Sequence, residues 1–199
     1  VLADPAVMRT LDAREVRSGL AEAIKHGLIA DEGYLAFLEQ NAEAVLRLDR
    51  DAVTEAVRRS AQIKAAVVSA DEFETTGLRS TLNYGHTLAH AIESTTGYRR
   101  FRHGEADGVG MMAAGEISVR MGLLPRETLD RQRAVLERYG LPTHASGLDR
   151  DRLLAAVALD KKVQGRRVRW VLLEGIGRPV LRDDVPGETV QAALDTVLR

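Results

Sequence analysis

The chain has 199 residues, enough for one good hydrophobic core or two small ones, and it is 45% hydrophobic and 29% charged, the balance of a soluble globular protein. A formal net charge of -1 gives no domain-wide positive field for a polyanion, which argues against nucleic acid as a partner, although local basic clusters can still hold a small phosphate. There is no cysteine, so disulfides, thiolate metal sites and cysteine nucleophiles are excluded, and any metal must rest on histidine and carboxylate.

The first residues, VLADPAVMRTL, open directly on an apolar, strand-like run with no initiator Met, which suggests part of something longer. No basic region leads into an apolar stretch there, and no apolar run reaches the ~18 residues of a membrane span. A membrane partner is therefore not expected, and the absence of cysteine fits a reducing, cytoplasmic setting.

Helical periodicity then dominates. DAREVRSGLAEAIKHGL, residues 12–28, begins with an Asp able to cap and a Glu three residues later. Residues 31–48 repeat that signature with Leu35, Leu38, Ala42 and Val45 on one face, and 51–72 are rich in Ala, Ile and Val at helical spacing. After a loop through ETTGLR comes LNYGHTLAHAIES, residues 82–94, which reads as a fourth helix. TTGYRRFRHGEADG reads as irregular, with Gly97 and Gly104 as breakers; helix returns at 109–123, 126–140 and 149–159. RRVRWVLLE, 166–174, is a strand candidate with GIGRPVLR as its partner, and the tail is helical again. No glycine-rich nucleotide fingerprint occurs.

The polar residues in these apolar patterns need explaining. On a helix His86 and His90 stack one above the other, Glu93 follows on the same side, and Asn83 would lie one turn earlier. Such a stripe is costly to bury unless each group has a partner. Two histidines four apart are a weak metal signal alone, but His103 arrives in HGE and Glu22 interrupts an Ala-rich face. One carboxylate and two imidazoles with an open position suit a catalytic zinc. Whether the imidazoles are His86 with His90, or one of these with His103, is left open by spacing alone. Glu22 also has a plain reading as the partner of Lys25 one turn on.

Lys25, Lys64, Arg79, Lys161 and Lys162 form a basic set that individually reads as solvated surface. With Asn83 they suit a phosphorylated or carboxylated small molecule. The acidic DEFE at 71–74 reads as a helix end or ion-pair partner, and His26 and His144 as structural or exposed.

GLAEAIKHG, GLRSTLNYGHTLAHAIE, HGEADGVGM and LDKK before a strand together resemble 3-dehydroquinate synthase, in order and from residue 1 to the C-terminus. The resemblance implies a mostly α-helical C-terminal domain of a two-domain fold, with a small strand element near 166–183. The N-terminal α/β domain holding most NAD contacts would not be in this chain, and residues 1–10 would be the edge of that NAD site.

By the same resemblance zinc, or Co2+ in its place, falls on Glu22, His86 and His103, and NAD touches Val7, Met8, Arg9 and Thr10. His90 is tied to proton movement; Lys25, Lys64, Arg79, Asn83 and Lys162, favoured over Lys161, contact the substrate.

The implied enzyme is a cytoplasmic homodimeric lyase of the shikimate pathway. It converts 3-deoxy-D-arabino-heptulosonate 7-phosphate to 3-dehydroquinate by transient oxidation with NAD, β-elimination of phosphate, re-reduction and aldol closure. This chain alone is expected to be inactive. Sister sugar-phosphate cyclases are the nearest alternative; a metal-dependent alcohol dehydrogenase or a non-catalytic helical scaffold fit the basic set less well. Two departures stand out: DEFETTGLR is one residue longer than the family pattern, and Asp107 replaces a usually apolar residue. Neither touches a residue assigned to chemistry.

Overall fold

The computed structural model describes residues 3–164 and 168–198, and for 159–164 the backbone alone. Its helices are α1 (Ala13–Ala30), α2 (Glu32–Leu46), α3 (Arg50–Ala70), α4 (His86–Thr95), α5 (His103–Arg120), α6 (Arg126–Arg138), α7 (Arg150–Gln164) and α8 (Gly187–Val197). Short 3-10 helices occupy Pro5–Thr10 and Arg79–Asn83, and strands β1 (Trp170–Leu173) and β2 (Pro179–Arg182) pair antiparallel with Trp170 opposite Arg182. The helical domain with one small strand element is as the sequence implies.

The caps explain the helix starts. Asp12 accepts from the Arg14 and Glu15 N–H groups, Asp31 from Tyr34, and Asp49 from Asp51 and Ala52, each satisfying donors that the first turn leaves free. Buried tyrosines then tie neighbours together. Tyr34 donates to the Ala56 carbonyl at 2.6 Å, and Tyr139 to that of Leu38 at 3.0 Å.

Helix α5 is the axis of the domain. Gly104 and every residue from Ala106 to Ser118 are buried, and the helix packs on α1, α4, α6, α8 and β1. A helix covered on all sides needs small residues where neighbours approach closely. A Cβ on Gly104 would collide with the Ser18 carbonyl of α1, and one on Gly110 with the Gly85 carbonyl at the start of α4. Two glycines of α5 thus set how near α1 and α4 can come.

Several expectations are corrected. Among the described residues the opening segment is not a strand: it is extended at Asp4 and at Leu11, and between them it is a 3-10 helix, with Pro5 supplying the fixed φ of a helix start. HGEADG is the first part of α5, not irregular, because Gly104 and Gly108 face neighbouring backbone and are not breaking the helix. Asn83 does not share the helix of His86: Gly85, in the left-handed region at φ 90°, separates its 3-10 helix from α4. In α3 only Val53 and Ala56 are buried among the described residues, so its second half stands at the surface beside the site. No helix is long and apolar enough to cross a membrane among the described residues.

Candidate metal and substrate site

Three helices bring their polar residues to one place. Glu22 and Lys25 come from α1, His86 and His90 from α4, and His103 and Asp107 from α5. Tyr84, fully buried, donates to Gln132 Oε1 at 2.8 Å and so fixes the approach to α4. The start of α5 is fixed by Arg14, whose guanidinium grips the Glu105 carboxylate with two hydrogen bonds of 2.6 Å.

Glu22, His86, His103 and Asp107 each offer a ligand atom, and these atoms lie within 4.8 Å of one another. Of the alternatives that spacing left open, His86 with His103 is the pair that gathers at Glu22. His90 stands beside both, with its ring 5.1 Å from that of His86 and 6.4 Å from that of His103.

Lys25 Nζ donates to Glu22 Oε1 at 2.7 Å and to Asp107 Oδ2 at 3.3 Å, and lies 3.4 Å from His86 Nδ1. So the plain reading of Glu22 as the partner of Lys25 also holds. Glu93 is buried on α4, and its carboxylate sits 3.1 Å from His103 Nδ1, fixing that ring from behind.

An open cavity of about 670 Å³ lies against this cluster. Its lining includes Glu22, Lys25, Lys64, Arg79, Asn83, His86 and His103, so most of the expected metal and substrate residues face one space. His90 does not line it; it is exposed on the next turn of α4. Lys64 projects from the uncovered half of α3 and is exposed, as are Arg79 and Asn83.

Arg79 is held by Asp71, the C-cap of α3, whose carboxylate accepts from the N–H groups of Thr75, Thr76 and Arg79. Led by the Arg79 N–H, those bonds hold the Asp71 carboxyl at about 2. The 71–79 segment is therefore a loop wrapped around one carboxylate. The side chains of Lys161 and Lys162 lie outside the described residues. Val7 to Thr10 lie in the 3-10 helix Pro5–Thr10, with Val7, Arg9 and Thr10 exposed and Met8 half-buried.

Without a metal, the carboxylates and the basic groups of the cluster hold one another's charge. Burial pushes the Glu22 carboxyl up, but His103 and Lys25 together hold it well below the usual carboxylate range. Hydrogen bonding to Glu22 raises His103 to about 9 against its burial, with Asp107 and Glu93 adding to the effect. Burial, followed by the neighbouring His86, lowers His90. Asp107 Oδ1 is buried and accepts no hydrogen bond among the described residues. A lone buried carboxylate oxygen next to two imidazoles and a second carboxylate is an oxygen and nitrogen donor set of the kind that zinc accepts.

The model of the 3-dehydroquinate synthase C-terminal family matches residues 19–163. The chain belongs to that family. A 3-dehydroquinate synthase of Nitrosospira multiformis is 45% identical over 194 residues, covering 98% of this chain and 53% of that protein. The chain thus spans about half the length of the curated relatives it matches.

Two solved structures are similar over nearly all of this domain. The 2-epi-5-epi-valiolone synthase of Streptomyces hygroscopicus subsp. jinggangensis 5008, with NAD+ and Zn2+ bound, gives a TM-score of 0.86 at 29% identity, over 98% of this chain and 54% of that one. A 2-deoxy-scyllo-inosose synthase complexed with carbaglucose-6-phosphate, NAD+ and Co2+ gives 0.82 at 25% identity, over 98% and 56%.

Within this dehydroquinate synthase domain, sequence reasoning set Asp107 apart from the chemistry, and that is corrected here: its carboxylate lies among the candidate ligands, fully buried. The signal was its position four residues after His103, on the same face of a helix whose next eight residues, Gly108 to Gly115, are all glycine or apolar. Of the two histidines without a pattern, His26 is buried with its Nδ1 2.8 Å from Ser60 Oγ, and His144 is exposed.

Proposed function

We propose that this chain is the metal- and substrate-binding domain of a 3-dehydroquinate synthase, which converts 3-deoxy-D-arabino-heptulosonate 7-phosphate to 3-dehydroquinate and phosphate. The observation that carries the reading is the convergence of Glu22, His86 and His103 at one cavity with Lys25, Lys64, Arg79 and Asn83. Identity of 45% to a named 3-dehydroquinate synthase supports that product over those of the sister cyclases, which are 25–29% identical. A sister cyclase remains the second reading, because the solved structures that superpose on the domain belong to such enzymes.

Glu22, His86 and His103 would hold zinc or cobalt, which when bound supplies a Lewis acid for a substrate alcohol. Val7 to Thr10 would border NAD, the transient acceptor of the alcohol's hydride. Lys64, Arg79 and Asn83, on separate elements around the cavity, give charge and N–H donors to the substrate's phosphate and carboxylate, and they stabilise the leaving phosphate as it departs. Lys162 is assigned to the same binding role. Lys25 adds positive potential at the base of the cavity, with its ammonium held by Glu22 and Asp107.

His90 is assigned the proton transfer at the alcohol. Its lowered pKa keeps it neutral near pH 7 and able to accept a proton, and its exposure gives that proton a route to solvent. The enzyme is assigned to the cytoplasm, as a homodimer. The test is to supply the full natural chain with the heptulosonate phosphate, NAD and zinc, then follow phosphate release and identify the product by NMR. Dehydroquinate formed without net NADH supports the reading. Release only from a different sugar phosphate moves the protein to a sister cyclase. The 199-residue chain alone is expected to release none, since the family resemblance assigns most NAD contacts to a separate domain.

A further inference from the structure

We infer that Asp107 is a positioning residue of the metal centre: its carboxylate holds the Nδ1 side of His86 and so directs the opposite ring nitrogen, Nε2, to the metal. The inference rests on the metal reading above and concerns a residue outside the three proposed ligands. Asp107 is 0% exposed, on a helix whose buried face is otherwise nearly all glycine, alanine and larger apolar residues. Burying a carboxylate in such a helix is costly unless something nearby uses it.

Its two oxygens are treated differently. Oδ2 accepts from Lys25 Nζ at 3.3 Å, whereas Oδ1 accepts no hydrogen bond among the described residues and lies 2.9 Å from His86 Nδ1. The separation is already that of a hydrogen bond, and what is missing is alignment. Lys25 Nζ, a donor only, lies 3.4 Å from the same Nδ1 and would favour the opposite tautomer, but the carboxylate contact at 2.9 Å is the shorter of the two and is the one assigned the proton. A turn of the imidazole plane brings an Nδ1–H into line with Oδ1. An imidazole that donates from Nδ1 to a carboxylate is fixed as the tautomer with its Nε2 lone pair free for a cation, and its basicity rises.

His103 has the same kind of support from Glu93, 3.1 Å from its Nδ1. Each candidate imidazole ligand therefore has its own carboxylate behind it, one from α4 and one from α5. Lys25 links the two halves: it bridges Glu22 and Asp107 without occupying Oδ1.

The test is a zinc competition titration against a chromogenic chelator on the full natural chain. The variants are Asp107→Asn, Asp107→Val and Glu22→Gln, each checked for folding by circular dichroism and melting without metal. An Asn oxygen can still accept from Nδ1, whereas Val cannot. Asp107→Val is expected to weaken zinc binding by about 10- to 100-fold and Asp107→Asn by only a few-fold, as the loss of an outer carboxylate does elsewhere. The Co2+ forms of both should keep the wild-type visible absorption bands. Asp107→Val with wild-type zinc affinity overturns the inference, and so does equal weakening by Asn and Val, which would leave only a charge effect. Cobalt bands altered in both variants overturn it as well, by making Asp107 a direct ligand. If Glu22→Gln retains stoichiometric zinc, the three-ligand reading has failed instead, and the two failures are thereby told apart.

Discussion

Lys25 and Asp107 face one another as a buried pair: Nζ is 3.3 Å from Oδ2, and the side chains are 1% and 0% exposed. Such a pair adds little net stability, because two charges are taken out of water to make it, but removing one partner strands the other. Lys25→Met would leave Asp107 and Glu22 without their shared cation. We expect a loss of about 3–5 kcal/mol in urea unfolding without metal, partly restored when zinc is added, since a divalent cation compensates the same carboxylates. An unchanged urea midpoint would show that the pair is not coupled to folding.

His26 gives a pH dependence whose sign follows from burial. Burial lowers it to about 4, and its Nδ1 is 2.8 Å from Ser60 Oγ. The unfolded chain takes up the proton near 6.5 but the folded chain only near 4, so the unfolded state binds more protons in between. Stability is therefore unaffected by this group above pH 6.5 and falls as the pH drops from there to 4. The loss is about 3 kcal/mol. His26→Gln should lose that part of the slope, and unfolding curves at several pH values for the two proteins, compared by difference, measure it. Parallel curves would show that His26 does not titrate with folding.

Asp71 organises the loop that carries Arg79 by accepting three backbone N–H groups. Asp71→Ala frees all three, while the bond from the Arg79 guanidinium to the Glu72 carbonyl at 2.9 Å remains. We expect KM for the sugar phosphate to rise about tenfold with kcat changed less, the pattern of lost ground-state binding. Steady-state kinetics on the full natural chain will show it. A fall in kcat with KM unchanged would place the loop's role in the chemical step.

The parts of this fold that could be read in the sequence are those set by local rules. Asp12 and Asp31 cap helices where Asp precedes an apolar periodicity, and Trp170 to Leu173 alternate with nothing but form the buried strand their β-branched and aromatic neighbours suggest. What local rules missed was tertiary. Gly104 read as a breaker because its Ser18 contact comes from 86 residues away, and Asn83 read as helical because nothing in LNYGHT shows that Gly85 takes φ 90°. The residue types at the site were visible, but the choice of His103 over His90 depends on how α5 crosses α4. Asp107 was visible as an oddity only, since its meaning lies on α1 and α4.

That crossing can itself be tested with two glycines. Gly110 of α5 sits against the Gly85 carbonyl and lies close to the Ala89 N–H, so a methyl there must push α4 outward. His86 would move with α4, while His103 and Asp107 stay on α5. Gly110→Ala is expected to cost about 1–3 kcal/mol by overpacking, and to weaken zinc binding along with stability. Gly19, on the exposed face of α1, has nothing within 4 Å of an added Cβ. There Ala gains helix propensity, and Gly19→Ala should stabilise by about 0.5–1 kcal/mol and leave zinc affinity unchanged. Urea unfolding and zinc titration of the two variants side by side separate a packing effect at the α4–α5 contact from a general effect of replacing glycine. Equal zinc affinity in both would mean that the close approach at Gly110 serves the core and not the metal centre.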